Sequence, residues 1–222
     1  MRAKLDVLIV GAGPAGVFAA LELSGRSDLR IGILDKGPDI DRRHCPAREP
    51  GGRCQHCDPC AILTGWGGAG AFSDGKLTLS PAVGGRLTEI LGQESTAQLV
   101  RRVDKTYVRF GAPGPVYGTR SDEVEALEKR AAMAGLRFIY VPIRHIGTDR
   151  CAGIMRGMRD ALLERGVEIR TRTPVARILT DDGRVVGVET ERGERMEAQA
   201  VIVAPGREGA AWLKAVADEL EL

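Results

Sequence analysis

The sequence predicts an α/β fold built on a parallel sheet, and three stretches carry that prediction. Residues 5–10 (Leu-Asp-Val-Leu-Ile-Val) are an apolar run that enters Gly11-Ala12-Gly13-Pro14-Ala15-Gly16, a G-x-G-x-x-G pattern opening onto small residues. A second apolar run, Ile31-Gly32-Ile33-Leu34, closes on Asp35, 24 positions after Gly11. Near the other end, Ala200-Val201-Ile202-Val203-Ala204 is continuously apolar, as strands buried on both faces of a parallel sheet are.

The first two stretches form a strand–helix–strand unit suited to a dinucleotide. Gly11 permits the tight turn off the strand. Gly13 leaves room for a pyrophosphate beside the backbone, and Gly16 lets the helix pack closely on the sheet. Pro14 and Ala15 open the helix, whose N-terminus offers unpaired N–H groups and partial positive charge to phosphates. Asp35, with Lys36 beside it, sits where a carboxylate accepts hydrogen bonds from a ribose diol, and its charge disfavours a 2′-phosphate. A lone G-x-G-x-x-G is a weak signal that fits a turn packed for fold reasons alone. Here the strand, the helix and the acidic residue all accompany it.

The elements follow in order. Residues 5–10 read as strand, 14–24 as helix and 30–35 as strand. A Cys/Gly/Pro-rich excursion covers 37–62, and a glycine-rich loop covers 65–76. Ser95 caps an expected helix over 95–109, with Leu99, Val103 and Tyr107 at i, i+4 and i+8. Ser121 caps another, with Val124, Leu127, Ala131 and Ala134 inward and Gly135 past its end. Residues 136–141 (Leu-Arg-Phe-Ile-Tyr-Val) read as a strand. Asp149 opens a third helix with Ile154, Met158 and Leu162 on its apolar face, closed by Gly166. Alternating runs at 167–171, 175–180, 185–190 and 194–197 read as short strands, with a hairpin turn at Asp182-Gly183. The strand 200–204 stops at Pro205-Gly206, and 209–221 reads as a helix.

Composition bounds the class. The chain has 222 residues, 43% hydrophobic and 28% charged, which supports a buried core and argues against disorder. A net charge of +2 gives no electrostatic case for nucleic acid or an anionic membrane surface. Arg2 and Lys4 before an apolar stretch imitate a signal peptide, but Asp6 and the glycine-rich turn favour a first strand and helix. No run reaches the roughly 18 clean apolar residues of a membrane span, and a cytoplasmic location is expected. In such a chain five cysteines are metal ligands or redox groups sooner than disulfides.

Cys54, Cys57 and Cys60 form C-x-x-C-x-x-C, with Cys45 nine residues earlier and His44 and His56 nearby. Three thiolates at this spacing can converge on one ion, with Cys45 as a fourth ligand. A [4Fe–4S] cluster and a Cys₄ zinc site both fit, as does a reduced or redox-active cysteine group. Cys151, early in a helix, reads as a buried, inert thiol.

The later chain suggests which dinucleotide. The helix leading to Gly166-Val167-Glu168-Ile169, the runs over 175–197 and the strand ending Val-Ile-Val-Ala-Pro-Gly resemble the FAD-binding domain of the glutathione reductase superfamily. Three segments sharpen this: Leu34 to Arg43, Gly65-Trp66-Gly67-Gly68-Ala69-Gly70-Ala71-Phe72-Ser73-Asp74-Gly75-Lys76-Leu77, and Arg144 to Asp149. They resemble a family of bacterial and archaeal FAD-dependent dehydrogenases, described generally as NAD(P)/FAD-dependent oxidoreductases, and the resemblance spans essentially the whole chain.

The resemblance implies a Rossmann-like, three-layer FAD/NAD(P)-binding domain with a β-meander crossover and an inserted, incomplete substrate domain. Its parts would be 1–76 and 150–222 for FAD and 77–149 for the substrate side. It implies a non-covalent FAD passing hydride or electrons to or from a small-molecule substrate, with NAD(P)H as a possible donor. Val175 matches the residue whose backbone meets the adenine, and Ala204-Pro205-Gly206 replaces an Ala-Thr-Gly-like turn. Gly67, Gly68, Ala69 and Ser73 lie where glycine-rich backbone approaches the flavin and pyrophosphate. Lys76 would stabilise negative charge on reduced flavin, or be a solvated lysine. Arg43, like Arg42, would clamp phosphates or the ribityl chain, or be a surface charge. His145 would act as acid, base or substrate anchor, or be structural.

Relatives of this kind finish the FAD site with a strand ending in Gly-Asp, and no Gly-Asp dipeptide occurs here. The resemblance therefore implies an N-terminal fragment that encloses the flavin only in part. Two other readings stand beside it: an NAD-dependent Rossmann dehydrogenase, and a non-catalytic flavin- or metal-binding module.

Overall fold

A computed structural model describes residues 4–26, 28–119 and 121–222; Arg2, part of the signal-peptide imitation, lies outside them. Two compact units divide the chain, one formed by Met1–Phe72 with Met155–Leu222 and the other by Ser73–Ile154.

The first unit is built on a mixed six-stranded sheet. β1 (Leu5–Val10), α1 (Pro14–Ser24) and β2 (Ile31–Leu34) form the expected parallel unit, in register from Val7–Ile31 to Val10–Leu34. α5 (Thr148–Glu164) begins in the second unit and runs into the first. After it come β5 (Glu168–Arg170), β6 (Val175–Asp181), β7 (Arg184–Thr190), β8 (Arg195–Val203) and α6 (Ala210–Glu219). The spatial order is β5-β2-β1-β8-β7-β6. β5, β2, β1 and β8 are parallel, whereas β8, β7 and β6 pair antiparallel. Leu8, Ile9, Ile31, Ile33 and Leu34 are fully buried, as strands at the centre of such a sheet require.

The two expected runs at 194–197 and 200–204 are one strand. The first part of β8 pairs with β7 (Gly187–Glu197, Val188–Met196), and the rest pairs with β1 from Leu5–Ala198 to Val10–Val203. The change from alternating to continuous hydrophobicity marks a change of neighbour, not an end of strand. Asp182-Gly183 makes the hairpin turn, both with positive φ.

The second unit holds β3 (Lys76–Thr78), α2 (Leu87–Leu91), α3 (Gln93–Arg109), α4 (Asp122–Met133) and β4 (Ile143–His145). The expected strand at 136–141 is not one. The extended pairing forms at 143–145, where β3 supplies a partner in the register Lys76–His145, Leu77–Arg144, Thr78–Ile143. β-propensity without a partner does not make a strand. α3 starts two residues earlier than expected and is capped by Gly92, so Ser95 lies inside its first turn. Ser121 does cap α4, its Oγ accepting from Val124 N–H at 3.3 Å. No residue of α4 is buried, however, and Leu127 is exposed. Arg144 ties this unit together: its guanidinium donates to both carboxylate oxygens of Asp104, at 2.5 and 2.8 Å, and to the carbonyls of Pro113 and Gly114.

Candidate dinucleotide site

The register of the parallel strands brings Val10, Leu34 and Val203 level at one carboxyl edge of the sheet, where ligands of open α/β sheets bind. The turns beyond them are stitched together by Gly11 N–H to Leu34 C=O (2.7 Å), Ala204 N–H to Val10 C=O (2.8 Å) and Asp35 N–H to Arg170 C=O (2.9 Å). Over this edge lies a cavity of about 800 Å³, bounded by these turns, the loop at 63–70, residues 173–175, Glu191 and Trp212.

The three fingerprint glycines have different reasons. Gly11 has φ +105°, and a Cβ there would lie 2.1 Å from Ala204 O. A Cβ at Gly16 would lie 1.9 Å from Gly11 O. Both are demanded by packing. Gly13 is not: its nearest neighbour to an added Cβ is Gly68 Cα at 4.0 Å, and its φ of −72° suits any residue. It caps α1 without a side-chain hydrogen bond and borders the cavity, with Pro14 at the first helical position. The missing side chain at Gly13 leaves space next to helix N–H groups, which is what a pyrophosphate needs.

Asp35 is buried and already engaged. Oδ1 accepts from Gly37 N–H and Gly65 N–H, and Oδ2 from Ala12 N–H, all at 2.8 Å. Three of a carboxylate's roughly four acceptor positions are thereby taken. The acidic residue that the sequence offers to a ribose thus first joins the β1–α1 turn to the glycine-rich loop. Lys36 borders the cavity, with Nζ 3.8 Å from Glu208 Oε1.

Arg43 corrects the sequence reading. It does not border this cavity. It is buried, and its guanidinium donates to the carbonyls of Ala61, Ile62, Trp66 and Gly68 at 2.7–2.9 Å. It also lies 4.5 Å from the centre of the Phe72 ring. Burial pushes it down to about 10, so it is charged at neutral pH. Asp35 holds the loop by an N–H and Arg43 by its carbonyls. Trp66, fully buried, adds an indole N–H bond to Met155 O at 2.7 Å.

The remaining candidates divide. Gly68, Ala69, Val175, Ala204 and Gly206 border the cavity. Gly67 does not: its N–H donates to Ala12 O at 2.7 Å, and a Cβ would meet Ala71 and Met155. Ala15 is exposed in the first turn of α1. Ser73 belongs to the second unit, where its Oγ accepts from Gly75 N–H at 3.2 Å. Lys76 and His145 are direct partners across β3 and β4; Lys76 pairs with Asp74 at 3.0 Å, and the Tyr117 ring meets His145 edge-on at 5.3 Å. Cys151 is buried, its thiol pushed up by burial, and donates to Gly147 O at 3.2 Å.

The expected metal ligands are not gathered. Cys54 and Cys57 are exposed, Cys45 and Cys60 are half-buried, and all are free thiols. Among the described residues no three His, Cys, Asp or Glu side chains are placed to hold a metal ion. The spacing permits convergence, but among the described residues the four thiols form no such group.

Sequence reasoning missed Thr64, Glu191, Glu208 and Trp212. They reach the cavity from loops and from α6, and only the tertiary fold brings them there.

Fold and cavity together define a dinucleotide-binding α/β domain. The sequence profile described as FAD dependent oxidoreductase (DAO) matches residues 6–221, and the chain belongs to that family. A protein of Clostridium beijerinckii with no described function is 27% identical over 205 residues, covering 91% of this chain and 31% of its own length. Among solved structures, glycine oxidase from Geobacillus kaustophilus superposes with a TM-score of 0.56 at 18% identity, covering all of this chain and 59% of its own. A 3-ketosteroid dehydrogenase from Rhodococcus jostii gives 0.53 at 17%, covering 91% and 46%. A glycerol-3-phosphate dehydrogenase from Bacillus halodurans, complexed with FAD, gives 0.51 at 17%, covering 99% and 37%. The chain therefore spans about a third of the sequence relative and roughly half of the structural ones, and these structures share its fold. Among the described residues no helix is long and apolar enough to cross a membrane.

Proposed function

We propose that this chain is the part of an FAD-dependent oxidoreductase that holds the adenosine and pyrophosphate portions of FAD, in a protein that oxidises or reduces a small molecule. One observation carries the reading: Gly13 lacks a side chain where packing would accept one, beside uncapped helix N–H groups at the carboxyl edge of the sheet. Bound FAD supplies hydride or electron transfer; the protein supplies position and electrostatics. The first turn of α1 faces the phosphates, and the loop held by Asp35 and Arg43 presents Gly68 and Ala69 to the cofactor. The antiparallel β6–β8 act as the crossover of the FAD fold. The segment 77–149 serves the substrate side, with Lys76 and His145, cross-strand partners on β3 and β4, as its candidate polar pair.

The test compares Gly13→Val with Gly16→Val by flavin titration and thermal unfolding. Gly13→Val is expected to fold as the wild type and lose FAD, whereas Gly16→Val fails to fold. Equal FAD affinity in Gly13→Val and the wild type overturns the reading. NAD bound in place of FAD, without flavin absorbance, would support a pyridine-nucleotide dehydrogenase instead. Two further expectations are separable. Anaerobic bleaching of the flavin by NADH or NADPH tests the donor, and iron, sulfide and zinc analysis tests Cys45, Cys54, Cys57 and Cys60.

A further inference from the structure

Trp212 is one of two tryptophans, and the dinucleotide fingerprint does not account for it. It stands in the first turn of α6 and borders the cavity next to Pro174, Val175 and Glu191. Its indole N–H donates to Ala176 O at 2.9 Å, which fixes the ring against the start of β6. The same ring packs on the core cluster that contains Leu34 and Val175.

The neighbouring backbone has a particular chemistry. β6 is one of the two edge strands of the sheet. The pair Val175–Thr190 is flanked by the bond from Glu191 N–H to Pro174 O, at 3.0 Å. In an antiparallel ladder that pattern turns the N–H and C=O of Val175 away from β7 and toward the open edge. One donor and one acceptor on a single residue match the N1 and N6 edge of adenine. Beside them stands an aromatic face whose own polar atom is already satisfied. A planar base gains from such a face whatever its sequence context.

We infer that Trp212 is the wall against which the adenine ring packs, and that it sets the preference of this site for an adenine dinucleotide over a flavin mononucleotide. The inference rests on the FAD reading above and deepens it. A packing-only role is the competing account, because the indole also covers the core cluster.

The experiment titrates ADP, FAD and FMN into the wild type, Trp212→Ala and Trp212→Phe, following heat and tryptophan emission. In the wild type ADP quenches emission, and in Trp212→Phe the quench disappears because the remaining Trp66 is fully buried. Trp212→Ala weakens ADP and FAD by about tenfold to a hundredfold, the scale of one base–aromatic stack, and leaves FMN unchanged. Trp212→Phe, which keeps a ring, recovers most of the affinity and carries the test if the alanine variant does not fold. Equal losses for ADP and FMN, no loss in either variant, or a quench that persists in Trp212→Phe overturns the inference while FAD binding stands. A wild type that binds neither ADP nor FAD overturns the FAD reading itself.

Discussion

Replacing Asp35 by Asn keeps the shape of the side chain and removes its charge. The carboxylate accepts three hydrogen bonds from N–H groups of buried residues, Ala12, Gly37 and Gly65. In the best orientation, the amide oxygen keeps the two bonds made by Oδ1, and the new NH₂ group faces Ala12 N–H. One bond becomes a donor–donor contact, and two lose their charge assistance. An unsatisfied buried donor costs about 1–3 kcal/mol, and bonds to charged groups contribute about 1.5–3 kcal/mol each. The expected loss is about 2–4 kcal/mol for Asp35→Asn, and more for Asp35→Ala, which leaves all three donors bare. Urea unfolding followed by circular dichroism measures it, provided the slope is unchanged. If Asp35 served only a ribose, both variants would unfold as the wild type does and would differ only in cofactor affinity. A stability loss below about 1 kcal/mol refutes the clamp, since no buried donor would then have gone unsatisfied.

Three other predictions follow from the same contacts. Arg43→Lys keeps a charge but cannot reach four carbonyls with a planar fork, so it loses about 2–3 kcal/mol in urea unfolding and loosens the loop to proteolysis at 61–68. In the native protein Cys54 and Cys57 react first with a chromogenic disulfide reagent. Cys151, buried and with its thiol pushed up, reacts only after unfolding. The Asp41 carboxyl is held below its ordinary value by Arg156 first and Arg159 second. Its contribution is therefore complete above about pH 4 and fades as the pH falls through the lowered value. Arg156→Gln flattens that acid limb of the stability profile, and salt does the same because the pair is exposed.

Much of the first unit is legible in the sequence because its signals are local. The apolar run before Gly11, the glycine spacing and the return to Asp35 specify strand, turn, helix and strand without reference to distant residues. Asp182-Gly183 specifies its hairpin in the same way. What is not legible depends on partners. Leu-Arg-Phe-Ile-Tyr-Val at 136–141 has the composition of a strand, yet pairing with Lys76–Thr78 sets the strand at 143–145. Asp35 and Arg43 were readable as charged residues near a ligand, but a charge in a sequence does not say whether it meets a phosphate or a backbone. Here the backbone of the loop claims both. Trp212 was hidden for a similar reason: it lies far along the chain from every fingerprint residue, in a helix whose pattern says only that it is a helix.

The double pairing of β8 bears on how the chain acquires its structure. β1 lies between β2, close in sequence, and β8, whose partners in it begin at Ala198. Synthesis from the N-terminal side completes β1, α1 and β2 first, then leaves β1 with one side unpaired until residues 198–203 have been made, more than 160 positions after β2. Such non-local closure gives a high contact order and slow folding, and a waiting apolar edge invites pairing with another nascent chain. Because β8 also pairs with β7, this one strand joins the β6–β7 hairpin to the parallel strands on β1.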